Sequence, residues 1–506
     1  MRQLLIAAAA LALATPAAAQ HHGDSAAQPG TSAVGEVAFA NSGAPAAQAA
    51  FLRGLAQLHN FEYPSAAALF QEAQKADPGF AMAYWGEAMT HNHPIWMEQD
   101  LEAGRAALAK LAPTREARLA KARTPRERAY LETVETLYGE GTKEERDFAY
   151  AAELEALHKA HPDDIDARAF YSLALLGTAH AGRDFPTYMR AAALLEEVFP
   201  QNQRHPGVLH YMIHSYDDPA HAPLGLRAAR LYGKVAPEAG HALHMTSHIF
   251  IALGMWDDVE RANVEAVAAV NAQRTAAGRP PVRCGHYNEW LVYARWQKGD
   301  PQAERDFAAC RETAVREVSD TAAASRGEMW SAGLSYAGIA VRRLIETGKW
   351  DPPADLPAER YPNARFSLAY GELLAAGTDP ARAKAARAAL EAAHKSAAAS
   401  RAGQPHDHPL MAAREKAILA QAEGLEKRAA GDLEGAIAAF TAAAEIEAST
   451  PADFGPPLVE KPSRELLAEA LAAAGRKGDA AWAYEKALLA APGRRILLEG
   501  LAAARR

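Results

Sequence analysis

Seven of the chain's 19 histidines fall between positions 205 and 248: His205, His210, His214, His221, His241, His244 and His248. Neutral imidazole is the commonest transition-metal ligand, and two imidazoles four residues apart on a helix can hold one ion from a single face. His210 and His214 have that spacing. His241, His244 and His248 follow at i, i+3 and i+7, again on one helix face. The two sets are related by a shift of 34 residues, which carries His210 onto His244 and His214 onto His248. His286 extends the stripe, with Glu289 and Tyr293 behind it on the same face. Carboxylates orient a ligand's ring N–H or complete its shell, which makes Asp217 and Glu289 the supporting candidates. His59 and His93, also 34 apart, offer a second contribution from the N-terminal side, with His91 beside it. An all-nitrogen, carboxylate-supported site suits zinc, copper, iron or nickel and does not choose among them. The same histidines also fit a polar groove for a peptide or small anion, or a buried hydrogen-bond network.

The elements that position these residues repeat. In FLRGLAQLHNFEYPSAAALFQEAQKADP, the residues Gly54, Ala66, Phe70, Ala73 and Pro78 stand in the order small, small, aromatic, small, proline. Gly424, Ala436, Phe440 and Ala443 repeat that order near the C-terminus, as do Ala468, Ala480, Tyr484, Ala487 and Pro492. Small residues let two helices approach, the aromatic fills the gap, and proline punctuates the turn into the next unit. A 34-residue period with this pattern is that of tetratricopeptide repeats. Gly254, Gly299, Gly431 and Gly475 fall at turns between paired helices. The reading is an all-α, tetratricopeptide-type solenoid of stacked antiparallel helix pairs in a right-handed superhelix, with the histidines pointing into its concave groove.

Composition agrees. The chain is rich in Ala, Leu, Glu and Arg, shows no strand-like alternation, and carries a formal net charge of −8. With no basic stripe, nucleic acid and anionic membrane are poor partners. The first 19 residues read as a signal peptide: Arg2, an apolar run, then an Ala17-Ala18-Ala19 cleavage site. A periplasmic or secreted protein is expected after cleavage near Ala19-Gln20. The new start, Gln20-His21-His22, has a histidine in third place, an arrangement that can take copper or nickel. Residues 20–46 read as a flexible leader, 47–315 as an N-terminal solenoid with the histidine-lined groove, 316–411 as helical but register-poor, and 412–506 as C-terminal repeats. His406 and His408 belong to a loop, and STPADFGPPLVEKP is an ordered excursion. The two cysteines, Cys284 and Cys310, sit on paired helices, and a disulfide stapling the pair is expected in an oxidising compartment.

The motifs HPGVLHYMIHSYDDPAHA, GHALHMTSHIFIALGMWDDVERAN and FGPPLVEKPSRELLAEALAAAGR give the chain, from about 47 to 501, a resemblance to exported bacterial tetratricopeptide proteins with a histidine-rich core. Thr246 stands where the similar proteins often have proline. The resemblance implies a fold and a histidine site more than a reaction. The chain has no G-x-S-x-G, phosphate loop or dinucleotide fingerprint. Three functions are therefore expected to compete. One is a metal-binding solenoid acting as carrier, sensor or cofactor site. The second is a metal-independent scaffold binding a protein or peptide in the groove, and the third a metalloenzyme of unknown substrate.

Overall fold

The computed structural model describes residues 33–320, 328, 331–351, 356–357, 359–402 and 409–506. The signal peptide, the Gln20-His21-His22 start and the His406/His408 loop lie outside the described residues. Among those described, the chain folds into 23 α-helices, and one two-residue antiparallel ladder joins Asn92–His93 to Glu98–Gln99. Most helices pack against the next one in the chain, giving an all-α solenoid of helix pairs.

The repeat residues do what their sizes dictate. A Cβ on Gly54 would stand 3.1 Å from the Phe70 ring, and one on Gly424 would stand 2.5 Å from Phe440. Gly254, Gly299, Gly431 and Gly475 have φ between +68° and +82°, the left-handed conformation that ends a helix most cheaply on glycine. Gly424→Ala is therefore expected to force Phe440 out of its slot. The loss should be about 1–3 kcal/mol, the usual cost of overpacking, read as a lower midpoint in chemical denaturation.

The site is built by α1 (Pro45–His59), α2 (Ile165–Leu176), α3 (Pro206–Tyr216), α4 (Ala222–Val235), α5 (Gly240–Ala252), α6 (Trp256–Ala276) and α7 (His286–Lys298), with α8 (Gln302–Ser319) behind α7. Pro206 occupies the first turn of α3, where its missing N–H costs nothing. His205 caps that helix, its Nδ1 accepting from the Val208 N–H at 3.3 Å. Every residue of α3 is buried, and α5 is buried from Ala242 to Ile251. These are helices with protein on all sides. Cys284 and Cys310 are joined by a disulfide, which ties the start of α7 to α8.

Two segments far away in sequence close over the histidine helices. Residues 33–46, expected as leader, are ordered instead. Val34, Val37 and Phe39 are fully buried, Phe39 packs on Phe51, Trp85 and Tyr130, and the Glu36 N–H donates to Arg204 O. Three apolar side chains in a short run were enough to anchor it, a signal that the Pro/Gly-rich surroundings concealed. From the other end, Trp256 Nε1 donates to Gly493 O at 2.9 Å, and the buried Arg494 bonds Tyr293 Oη and Glu346, each at 2.7 Å, and Glu465 at 2.8 Å. The C-terminal repeats thus fold back onto the central ones. Four of the six stripe histidines lie in the packed interior, while His241 is half-buried and His286 is exposed.

Candidate metal centre

The six candidate ligands fall into two sets of three. The side-chain ligand atoms of His210, His214 and His241 all lie within 4.8 Å of one another, and so do those of His244, His248 and His286. Each set takes an i, i+4 pair from one helix and one imidazole from the first turn of the next A helix: α3 with α5, then α5 with α7. His210, His214, His244 and His248 are at most 3% exposed, His241 is half-buried, and His286 keeps an exposed face.

The hydrogen bonds around the rings fix which nitrogens are free. His210 Nδ1 stands 2.6 Å from the backbone oxygen of His59. A carbonyl only accepts, so Nδ1 carries the proton and Nε2 a lone pair. His244 Nδ1 donates to Asn263 Oδ1 at 2.7 Å, and the same Asn263 gives its amide N–H to Val259 O at 2.9 Å, which sets its orientation. His248 Nδ1 donates to Asp217 Oδ2 at 2.5 Å. With both Nδ1 atoms acting as donors, the Nε2 atoms of His244 and His248 face each other at 3.2 Å as two lone pairs. A proton or a metal ion between the two nitrogens would relieve that contact. Two nitrogens on one tetrahedral zinc, each at about 2.0–2.1 Å, would stand roughly 3.3 Å apart.

In the first set, the Nε2 atoms of His210, His214 and His241 are all buried without a hydrogen-bond partner. Each such atom costs about 1–3 kcal/mol. Native cores seldom concentrate three in one place, and one cation would satisfy all three. The rings are also in the right protonation state. Burial, reinforced by neighbouring imidazoles, holds His210, His214, His241 and His244 well below the ordinary histidine range, and pushes His286 down to about 3. All five are neutral at pH 7, as ligation requires.

A third cluster, His59, Asp166 and His205, has similar spacing but different chemistry. His59 Nε2 and His205 Nε2 both bond Asp166 Oδ1, at 2.9 and 3.2 Å, and His59 Nδ1 meets Tyr211 Oη at 2.9 Å. Val208 occupies His205 Nδ1. All four ring nitrogens are engaged, so this is a structural network that ties α1, α2 and α3 together. His59 thus serves the site through its backbone oxygen and not, as its spacing suggested, through its ring.

Two other expected supports are placed elsewhere. Glu289 pairs with Arg342 at 2.6 Å, because its side chain leaves the helix toward the Arg342, Glu460 and Arg414 cluster. His93 lies in the short ladder, stacked on Tyr63 at 4.1 Å, and makes its polar contacts with Thr90 O and Glu98. Asp217 does stand behind a candidate ligand, and its second oxygen, Oδ1, is buried without a partner. Asp217→Asn is expected to weaken metal binding about 10–100-fold, the usual effect of altering a ligand's hydrogen-bond partner, with little change in the melting of metal-free protein. A competition titration against a chromophoric chelator reads this, and unchanged affinity would show that the carboxylate does not tune His248.

The walls are aromatic. Phe61 lies against His210, His214 and His241, with ring centroids 4.3, 5.8 and 5.5 Å away. Trp290 packs on His244, His248 and His286. The excursion between the last two repeats supplies Phe454, 4.9 Å from His248. Beside it Asp453 is half-buried, and desolvation, with help from nearby Asp217, lifts its carboxyl to about 6. Sequence reasoning missed Phe61, Asn263, Trp290, Asp453 and Phe454. Only Asn263 carried a signal: it is a lone amide among Val259, Ala262 and Ala266 on the buried face of α6.

No family model matches the chain, and no curated protein matches it. Several solved structures align over most of its length. The Cut9–Hcn1 hetero-tetramer of the APC/C aligns at 12% identity and a TM-score of 0.38, over 92% of this chain and 78% of that one. The tetratricopeptide domain of P58(IPK) aligns at 14% identity and 0.22, over 91% and 97%. Yeast Tom70 aligns at 10% and 0.27, over 91% and 95%.

Proposed function

We propose that this chain is an exported helical-repeat protein that binds transition-metal ions through the imidazoles of His210, His214, His241, His244, His248 and His286. The observation that carries the reading is the His244–His248 contact: two Nε2 atoms face each other at 3.2 Å, while each ring's Nδ1 is engaged by Asn263 or Asp217. Asn263, on α6, and Asp217, at the end of α3, hold that geometry from the two packed helices. The three unpartnered Nε2 atoms one repeat earlier support it. Zinc, copper, iron and nickel all accept such nitrogens. Three protein ligands leave a coordination position open, so the centre suits a carrier, a sensor or a cofactor site.

The test is metal content. Protein made without a polyhistidine tag, stripped with chelator and reloaded, is expected to retain at least one ion per chain after gel filtration. The His244→Ala, His248→Ala double variant should lose the ion held by that pair. If stripped protein takes up no metal, the reading fails.

A second reading, a scaffold for a protein partner, is supported by the stacked helix pairs, which present long surfaces suited to peptides and helices. Among the described residues no helix is long and apolar enough to cross a membrane. Capture of a periplasmic partner that survives chelator and histidine substitution would favour this reading over the first.

A further inference from the structure

We infer that the site holds two metal ions side by side, one in each three-histidine set; this rests on the metal-binding reading above. The argument starts from reach. Nitrogens bound to one ion at about 2.0–2.1 Å are separated by at most roughly 4.2 Å. Within each triad the ligand atoms meet a 4.8 Å limit, but the six together do not form one such group. A single ion cannot take all six. Each triad is instead a complete set for an ion of its own.

The triads are also the same device built twice. In each, an i, i+4 pair on one A helix is completed by the first-turn histidine of the next: His210 and His214 with His241, then His244 and His248 with His286. The 34-residue shift carries the first pair onto the second. The longer α6 puts His286 45 residues after His241, yet α7 restores the position, because His241 is the second residue of α5 and His286 the first of α7. Two consecutive repeats thus make two equivalent sites in contact. The ring centroids of His214 and His248 lie 6.0 Å apart, and those of His241 and His244 lie 6.3 Å apart.

The electrostatics say what such a pair requires. Histidine binds a metal as a neutral ligand, so the six imidazoles bring no countercharge. The carboxylates beside the two sets are Asp217, bonded to His248, Asp453, next to the Phe454 that packs on His248, and Glu62, whose Oε1 accepts the His241 N–H at 3.1 Å. Two divalent ions would bring four positive charges against these three groups, a cost that further anionic charge would offset. Each ion has three protein ligands and an unfilled position. A small anion shared between the ions, hydroxide being the simplest, would offset the charge and complete both shells. The less buried His241 and His286 mark the side from which ions and the anion enter.

The experiment loads copper(II) into full-length protein carrying His21→Ala and His22→Ala, so that the chain start contributes no copper. Copper per chain and the electron paramagnetic resonance spectrum are measured together, for this background and with His241→Ala or His286→Ala added. Those two histidines are the least buried members of their triads, and circular dichroism confirms that each variant folds. The expected result is two copper ions per chain with a signal broadened or diminished by the neighbouring ion. Either variant should fall to one copper with a sharp mononuclear signal. One copper in the background protein, lost in both variants, would overturn the pair and leave the metal-binding reading intact. Two coppers with fully independent signals would also overturn it. No copper at all would overturn both.

Discussion

His214→Leu is expected to stabilise the metal-free protein while destroying metal binding in its triad. His214 is buried and its Nε2 has no hydrogen-bond partner. An isolated buried polar atom costs about 1–3 kcal/mol, and an apolar side chain of similar volume removes that cost. Phe61, whose ring lies 5.8 Å from His214, already provides an apolar wall for leucine to contact. Denaturation of metal-free protein should therefore show a gain of up to about 2 kcal/mol. Binding at this triad should weaken by more than about 100-fold, since a ligand is lost and not merely its support. The two effects have opposite signs, which separates the competing accounts of the histidines. If they formed a buried hydrogen-bond network, His214→Leu would destabilise the protein and leave no binding to lose. Residues retained at a cost to stability are typical of functional sites.

The metal-free protein is also expected to be unusually sensitive to acid. His210, His214 and His244 are neutral in the folded state because burial disfavours their charged forms. In the unfolded chain they titrate near the ordinary value of about 6.5. Above that pH neither state takes up protons and their contribution is flat. As pH falls below it, the unfolded chain binds protons that the folded one refuses, so stability is lost with falling pH. Each ring contributes about 1.4 kcal/mol per pH unit in that range, so the three together contribute about 4 kcal/mol per unit. Melting temperatures of stripped protein from pH 7.5 to 5 should drop steeply below about 6.5. Bound metal should shift the drop to lower pH, because protons and metal compete for the same Nε2 lone pairs. A flat profile would contradict neutral, desolvated imidazoles.

Much of this arrangement was readable in the sequence because two periods coincide in it. The 3.6-residue period of a helix put His210 with His214 and His244 with His248, while the 34-residue period put those pairs on neighbouring A helices. The small-aromatic-small pattern around Phe70 and Phe440 was legible for a related reason, since a Cβ-free position beside a ring is a local packing demand. Hidden were the contacts that depend on how far the superhelix winds. Nothing in residues 449–462 signals that Phe454 will reach His248, and nothing near Arg494 points to Tyr293, 201 positions earlier. Glu289 shows the limit of face-counting: it shares a helix face with His286, but its carboxylate has the stronger alternative of a guanidinium at 2.6 Å. His59 shows another, because its backbone oxygen matters to His210 and backbone roles leave no trace in residue identity.

The central claim, that these imidazoles hold metal, is tested most directly by diffraction. Crystals of protein loaded with a transition metal would be measured at that metal's absorption edge. The account predicts an anomalous difference peak between Nε2 of His244 and Nε2 of His248, within reach of His286, and a second among His210, His214 and His241. Well-diffracting, metal-loaded crystals with peaks only at surface histidines, and none between His244 and His248, would contradict it.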